Sequence, residues 1–200
     1  MKLIIIRHGE SEADVLKVCE GWADYDLTAK GRKQAKLMSK YISKNYKIDK
    51  IYVSSLKRAV QTAKYLAKET SLPLVKEDKL KEFDNGLKAG KPCVEANKKY
   101  PNVPTPIYTS NYEQETKLHF RMRAEYMLSK IIAENEDSNT IAIITHGGMI
   151  SRLYQSFLKL PIDTEIRVDT GEACFHEWTI KPGRKFIDLA NSCPYETTEL

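Results

Sequence analysis

Three short apolar runs in this 200-residue sequence end in groups suited to holding or attacking an anion. The first closes as Ile5-Ile6-Arg7-His8-Gly9, the second as Tyr52-Val53-Ser54-Ser55 with Arg58 just beyond, and the third as Ile143-Ile144-Thr145-His146-Gly147-Gly148. A histidine keeps an unprotonated ring nitrogen near neutral pH, so it can act as nucleophile or base. Arginine presents a planar fork of donors that matches phosphate oxygens. The glycines that follow each histidine let a backbone come close to a ligand. Taken singly, a strand-end histidine is more often a core residue, and Arg58 is an ordinary helix residue. Taken together, Arg7, His8, Arg58 and His146 make a strong anion site if the three runs end side by side next to helix N-termini.

The elements that must place these residues can be read from periodicity. Runs 3–6, 50–54 and 140–145 are short and continuously apolar, as expected of strands buried on both faces of a parallel sheet. Thr28 caps a helix beginning near Ala29, in which Ala35, Met38, Tyr41 and Ile42 recur at helical spacing. Ser55 is placed to cap a helix that carries Ala59, Ala63, Leu66 and Ala67 on one face. A long helix aligns Phe120, Ala124, Met127, Leu128 and Ile131, and a further helix over 149–158 aligns Ile150, Leu153, Tyr154 and Phe157. The tail reads as strands over about 172–180 and 185–189, joined by a turn at Lys181-Pro182-Gly183-Arg184. This alternation predicts an α/β fold: a three-layer α/β/α sandwich with a mostly parallel central sheet and one antiparallel edge strand. Between 83 and 112, Gly86, Gly90, Pro92, Pro101, Pro104 and Pro106 break any long element. That stretch is expected to be a small lid-like insertion over the site, within a single domain spanning 1–200.

Length and composition agree with one domain: 42% of residues are hydrophobic and 30% charged. The net charge of +5 favours anions in general, but no basic run is interleaved with aromatics, so nucleic acid is not an expected partner. The apolar run at the start is short for a signal peptide, and none elsewhere reaches membrane-spanning length, which predicts a cytoplasmic protein without membrane contact. The four cysteines, Cys19, Cys93, Cys174 and Cys193, form no C-x-x-C pair, so neither zinc nor a thioredoxin-like centre is expected, and reduced thiols are. Oligomeric state leaves no mark in the sequence.

Arg7-His8-Gly9-Glu10-Ser11 resembles the signature of the histidine phosphatase superfamily, whose fold is that of phosphoglycerate mutases. The likeness continues, in family order, through Gly21-Trp22-Ala23-Asp24-Tyr25-Asp26-Leu27-Thr28, Ser54-Ser55-Leu56-Lys57-Arg58-Ala59, Leu80-Lys81-Glu82-Phe83 and Thr145-His146-Gly147-Gly148. The resemblance implies a metal-independent phosphatase with no cofactor, acting on a small phosphomonoester. By it, His8 is the nucleophile that becomes a phosphohistidine, and Arg7, Arg58 and His146 grip the phosphoryl oxygens. It also implies that Ser11, Asp14, Gly21 and Gly147 line the phosphate site. Glu82 is then the general acid, protonating the leaving oxygen and afterwards activating water, a role that requires it to hold a proton near neutral pH. Read without the resemblance, Glu82 is one more carboxylate in a lysine-rich stretch. The sequence departs from the pattern at Asp14, where Asn is common, at Asp26, where Pro is usual, and at Glu172, where Asn is often found. Extra carboxylates near a phosphate site would weaken its hold on phosphate unless protonated, paired or turned away.

Rival readings are weaker. Asp24-Tyr25-Asp26-Leu27-Thr28 matches a D-x-D-x-T aspartyl-phosphatase motif but does not follow a buried strand. A cysteine phosphatase needs Arg six positions after its Cys, where this chain has Tyr25, Lys99, Ile180 and Glu199. A metal site built on His8, Glu10 and His146 would place the cation against arginines. Within the family, the segment after Glu82 lacks the arginine block of mutases, so hydrolysis is favoured over mutase-type transfer. From another class, a non-catalytic phosphate sensor could keep the same pocket. Substrate choice is expected to lie with 83–112, where Tyr100, Tyr108 and Tyr112 are available.

Overall fold

A computed structural model describes residues 1–137 and 139–194. Its centre is a six-stranded sheet of strands β1 (Lys2–Arg7), β2 (Lys50–Ser54), β3 (Leu74–Glu77), β4 (Thr140–Thr145), β5 (Phe175–Lys181) and β6 (Arg184–Ser192). The strand order is β3-β2-β4-β1-β5-β6, with β1 to β4 parallel. β5 runs antiparallel to β1, and β6 pairs antiparallel with β5, so a hairpin closes that side of the sheet. The helices are α1 (Glu12–Leu16), α2 (Ala29–Asn45), α3 (Lys57–Thr70), α4 (Cys93–Lys99), α5 (Lys117–Ala133) and α6 (Gly147–Phe157).

Both faces of β1, β2 and β4 are buried, which explains their unbroken apolar runs, whereas β6 is exposed along almost its whole length. Leu3 and Ile5 of β1, with Tyr52, Ile141 and Ile143, pack under residues of α5 and α6 such as Met127, Ile131, Ile150 and Leu153. The alternate residues Ile4 and Ile6, with Val53, Ala142 and Ile144, pack under Met38 and Ile42 of α2 and Ala59, Ala63 and Leu66 of α3. Each such aliphatic side chain contributes about 1.5–3 kcal/mol by leaving water. Register then does the positioning. Arg7 lies opposite Thr145, and the His8 amide donates to the Thr145 carbonyl at 3.0 Å, so the residues that follow β1 and β4 leave the sheet together.

Thr28 caps α2 as expected, its hydroxyl accepting from the Gly31 amide. Several expectations need correction. Ser55 does not cap α3. That helix starts at Lys57 behind Leu56 with no side-chain cap, and the Ser55 hydroxyl donates to Asp78 instead, because the chain bends once more before turning helical. β5 begins at Phe175 rather than 172, since Ala173 adopts φ 49° and Cys174 closes a turn onto Gly171. α6 begins at Gly147, two residues earlier than expected. β3 and the short α1 gave no periodic signal. Reduced thiols are overturned for one pair: Cys174 and Cys193 form a disulfide, their Cα atoms 4.4 Å apart. The hairpin causes this, since Phe175 pairs with Ser192 and the flanking cysteines must then meet. Such a bond persists more readily in an oxidising compartment than in a reducing cytosol. Cys19 and Cys93 are free thiols with their sulfurs 2.7 Å apart.

Between 83 and 112 the chain forms a 3-10 turn (Gly86–Lys88) and α4, and is otherwise irregular. Among the described residues, no helix is long and apolar enough to cross a membrane.

Candidate active site

The floor of the site is two histidines. His8 and His146 follow β1 and β4, are buried, and hold their rings 5.1 Å apart. His8 Nδ1 lies 2.8 Å from the Gly9 carbonyl, an acceptor, so the ring proton sits on Nδ1 and Nε2 keeps its lone pair. Arg58 Nε donates to that Nε2 at 3.2 Å. Burial, and then the charges of Arg58 and Arg7, hold the His8 pKa well below the usual histidine range. The imidazole is therefore neutral and nucleophilic at neutral pH. His146 is pushed down likewise, first by burial and then by Arg58, His8 and Arg7. Its Nε2 lies 2.7 Å from the Ser54 hydroxyl, while that hydroxyl accepts from the Leu56 amide. This favours a proton on His146 Nδ1, a buried atom that has no hydrogen-bond partner among the described residues.

Arg58, in the first turn of α3, is fully buried. A buried guanidinium is costly unless its donors are used. Here Nη1 donates to the Ala23 carbonyl at 3.1 Å and Nη2 to the Gly21 carbonyl at 2.9 Å, while the Glu20 carboxylate sits 3.1 Å from Nε. Gly21, at φ 50°, thus serves the site through Arg58. Arg7 Nη1 donates to the Thr170 carbonyl at 2.7 Å, and its Nε is buried without a partner. Gly147 lines the cleft beside Arg7.

Ser11 and Asp14 form a capping box on α1: Asp14 accepts from the Ser11 amide at 2.8 Å. Asp14 also faces Arg7 Nη2 at 3.5 Å. Its carboxylate is therefore turned to its own helix and paired with a cation. Glu172 lies beside Gln34 (3.1 Å) and Lys30 (3.8 Å), not along the cleft over His8.

Glu82 reaches the same cleft from the loop after β3. Its carboxylate accepts from the amides of Gly148 (2.9 Å) and Phe83 (2.8 Å). Any side chain at Gly148 would collide with that carboxylate. The Glu82 backbone is pinned as well: its carbonyl accepts from Trp22 Nε1 (2.6 Å) and Arg123 Nη2 (3.1 Å). Arg123 also donates to the carbonyls of Lys79 and Lys81 and makes a two-pronged, buried pair with Glu115. Arg123 and Glu115 were not visible as site residues, since in sequence they are two more charges on a helix and in the turn before it. Glu20 was missed too, and it stands closer to the chemistry than either.

The cleft over His8 encloses about 400 Å³ and is lined by Arg7, His8, Glu20, Glu82 and Arg167 among others. It opens into a larger one of about 890 Å³ that shares Glu20, Glu82 and Arg167 and runs along Asn102, Val103 and Tyr112. Tyr100 and Tyr108 are not on that lining; the Tyr100 ring packs tilted against Tyr112, their centroids 5.2 Å apart. Among the described residues, no group of three or more His, Cys, Asp or Glu side chains could hold a metal ion.

A neutral buried histidine, two arginines, a second histidine and a carboxylate at the strand ends define a phosphoryl-transfer class of site. The family model of the histidine phosphatase superfamily (branch 1) matches residues 3–192, and the chain belongs to that family. It is 41% identical over 163 residues to phosphoserine phosphatase 1 of Hydrogenobacter thermophilus, covering 79% of this chain and 76% of that protein. It is 30% identical to a 2,3-bisphosphoglycerate-dependent phosphoglycerate mutase of Buchnera aphidicola, over 89% of this chain and 94% of that protein. Among solved structures, a mycobacterial glucosyl-3-phosphoglycerate phosphatase superposes with a TM-score of 0.84 at 22% identity, covering 96% and 98% of the two chains, a likeness of fold.

Proposed function

We propose that the protein is a phosphatase that hydrolyses small phosphomonoesters through a phosphohistidine on His8. One observation carries this reading. Near Nε2 of a neutral His8, Arg7 Nε and His146 Nδ1 are buried with no hydrogen-bond partner among the described residues. An unsatisfied buried donor costs about 1–3 kcal/mol, and a phosphoryl group in line with His8 would supply the missing acceptors.

The steps follow from the residues. His8 Nε2 attacks phosphorus and the ester P–O bond breaks. Arg7, Arg58 and His146 take up the charge spread over the phosphoryl oxygens. Glu82 gives a proton to the departing oxygen, then takes one from the water that attacks the phosphohistidine, returning His8 and releasing phosphate. Residues 83–112 act as the lid, and their share of the larger cleft sets which ester fits. Arg152 and Arg167 also border that cleft, which favours leaving groups that carry a negative charge of their own, as a phosphorylated hydroxy acid does.

The test is phosphate release from a panel of phosphomonoesters in excess chelator, for wild type and His8→Ala. Release that survives chelator and falls by at least about a thousandfold in the folded variant is the expected result. Transfer between phosphoglycerates without release would favour the mutase reading, tight phosphate binding without turnover the sensor, and activity lost to chelator would defeat the mechanism.

A further inference from the structure

We infer that Glu20 is a built-in anion that competes with the substrate for the phosphoryl subsite and makes substrate affinity fall as pH rises. The inference rests on the assignment of His8 and Arg58 to phosphoryl transfer.

The geometry is specific. Glu20 Oε2 lies 3.1 Å from Arg58 Nε and 4.0 Å from His8 Nε2, and Oε1 lies 2.7 Å from the Ser11 hydroxyl. Arg58 gives hydrogens from Nη1 and Nη2 to fixed carbonyls, so Nε–H is the donor that points toward the attacking nitrogen. Glu20 holds a carboxylate oxygen 3.1 Å from that same nitrogen, as an ion pair beside the hydrogen that Nε gives to His8. A phosphorus that His8 is to attack must come within about 3–3.5 Å of Nε2. Its oxygens then enter the space beside Arg58 Nε and His8 Nε2 that the Glu20 carboxylate already holds, and they carry charge of the same sign. Substrate binding must therefore displace the Glu20 carboxylate or neutralise it.

A proton count points to neutralisation. Ser11 Oγ lies 2.7 Å from both Asp14 Oδ2 and Glu20 Oε1, while the Asp14 amide donates to it at 3.3 Å. A hydroxyl has one hydrogen to give. That hydrogen serves one of the two carboxylates at a time, so both contacts are hydrogen bonds together only when Glu20 or Asp14 brings a proton of its own. The groups that face Glu20 are Arg58 from α3, Asp14 from α1, Arg7 and the neutral His8 from the end of β1, and Glu82 from the loop after β3. Burial is the largest influence and raises the Glu20 pKa. Arg58 and the Ser11 hydroxyl oppose it, while Asp14 and Glu82 add to it. An acid raised in this way is protonated, and yields the subsite, over a wider acidic range than an exposed glutamate. As pH climbs through its pKa the carboxylate forms and competes.

The experiment measures KM and kcat for one ester, and the binding of inorganic phosphate by calorimetry, between pH 4.5 and 8 for wild type and Glu20→Gln. The amide keeps the size and the contact to Ser11 but carries no charge. At pH 7.5 Glu20→Gln is expected to lower KM and the phosphate Kd by about tenfold, the effect of one nearby like charge, with a smaller change in kcat. The ratio of the two proteins should shrink toward one at the acid end. The shorter Glu20→Asp should keep a pH-dependent ratio, and Glu20→Ala, checked for folding by circular dichroism, should follow Glu20→Gln. A ratio that stays constant with pH, or a KM and Kd raised in Glu20→Gln, overturns the inference and makes Glu20 a structural support of Arg58. Phosphate binding reads the competition without turnover, so a failure of ester hydrolysis would defeat the proposed activity and leave this test standing.

Discussion

The floor of the cleft and its rim are built on different principles. The floor is the end of adjacent parallel strands: Arg7 pairs with Thr145, Ser54 faces His146, and His8, Arg58 and His146 are buried in a fixed mesh of hydrogen bonds. The rim is loop. Asn102, Val103 and Arg167 are exposed, and short turns and α4 stand in for regular elements. A fixed floor with cationic donors suits chemistry common to many esters, because the transferred phosphoryl group never changes. A rim of loops suits choice among leaving groups, because its residues can vary without disturbing the sheet.

That contrast can be broken or sharpened by substitution. The largest effect after loss of His8 should come from Glu82→Gln, about 10²–10⁴-fold in kcat for an alkyl phosphate. The loss should be much smaller for p-nitrophenyl phosphate, whose leaving oxygen needs no proton. Equal losses on both esters would mean that Glu82 holds structure and transfers no proton. Next in size, Cys174→Ser should cost about 3 kcal/mol of stability, the entropy of a loop whose ends are 19 residues apart, in thermal or urea unfolding. The bond ties the hairpin beyond β1, so kcat should change little; a large fall in kcat would show that the far edge of the sheet governs the floor. Smallest should be Arg167→Ala. An exposed charge contact is worth about 0.2–1 kcal/mol, so KM should rise a few-fold for esters with a carboxylate and stay level for neutral ones. An equal rise for both would place Arg167 with the phosphoryl group, as part of the floor.

The two regions were unequally legible in the sequence. β1, β2 and β4 could be read because strands covered on both faces must be apolar throughout, and the site residues follow their last positions directly. α2 could be read from its cap at Thr28 and its helical period. Ser55 misled because cap chemistry depends on where the chain bends, and two serines precede the helix. The disulfide was hidden because nothing near Cys174 or Cys193 in sequence shows that the hairpin register brings them together. Glu82 stood out through its resemblance to a family pattern; its hold on the site comes from the Gly148 amide across the cleft and from Arg123, contacts between distant segments. Glu20 lies just outside the block that begins at Gly21, and its place against Arg58 follows from the positive φ of Gly21, which no sequence pattern gives.

The account turns on His8 taking the phosphoryl group itself. The direct measurement is rapid acid-free quenching of the enzyme with substrate, followed by peptide mass spectrometry at alkaline pH. The prediction is a phosphoryl group on the peptide carrying His8, stable to alkali, lost in acid, and absent from His8→Ala. Turnover with no such phosphopeptide at any quench time, or phosphate carried on another residue, would contradict it.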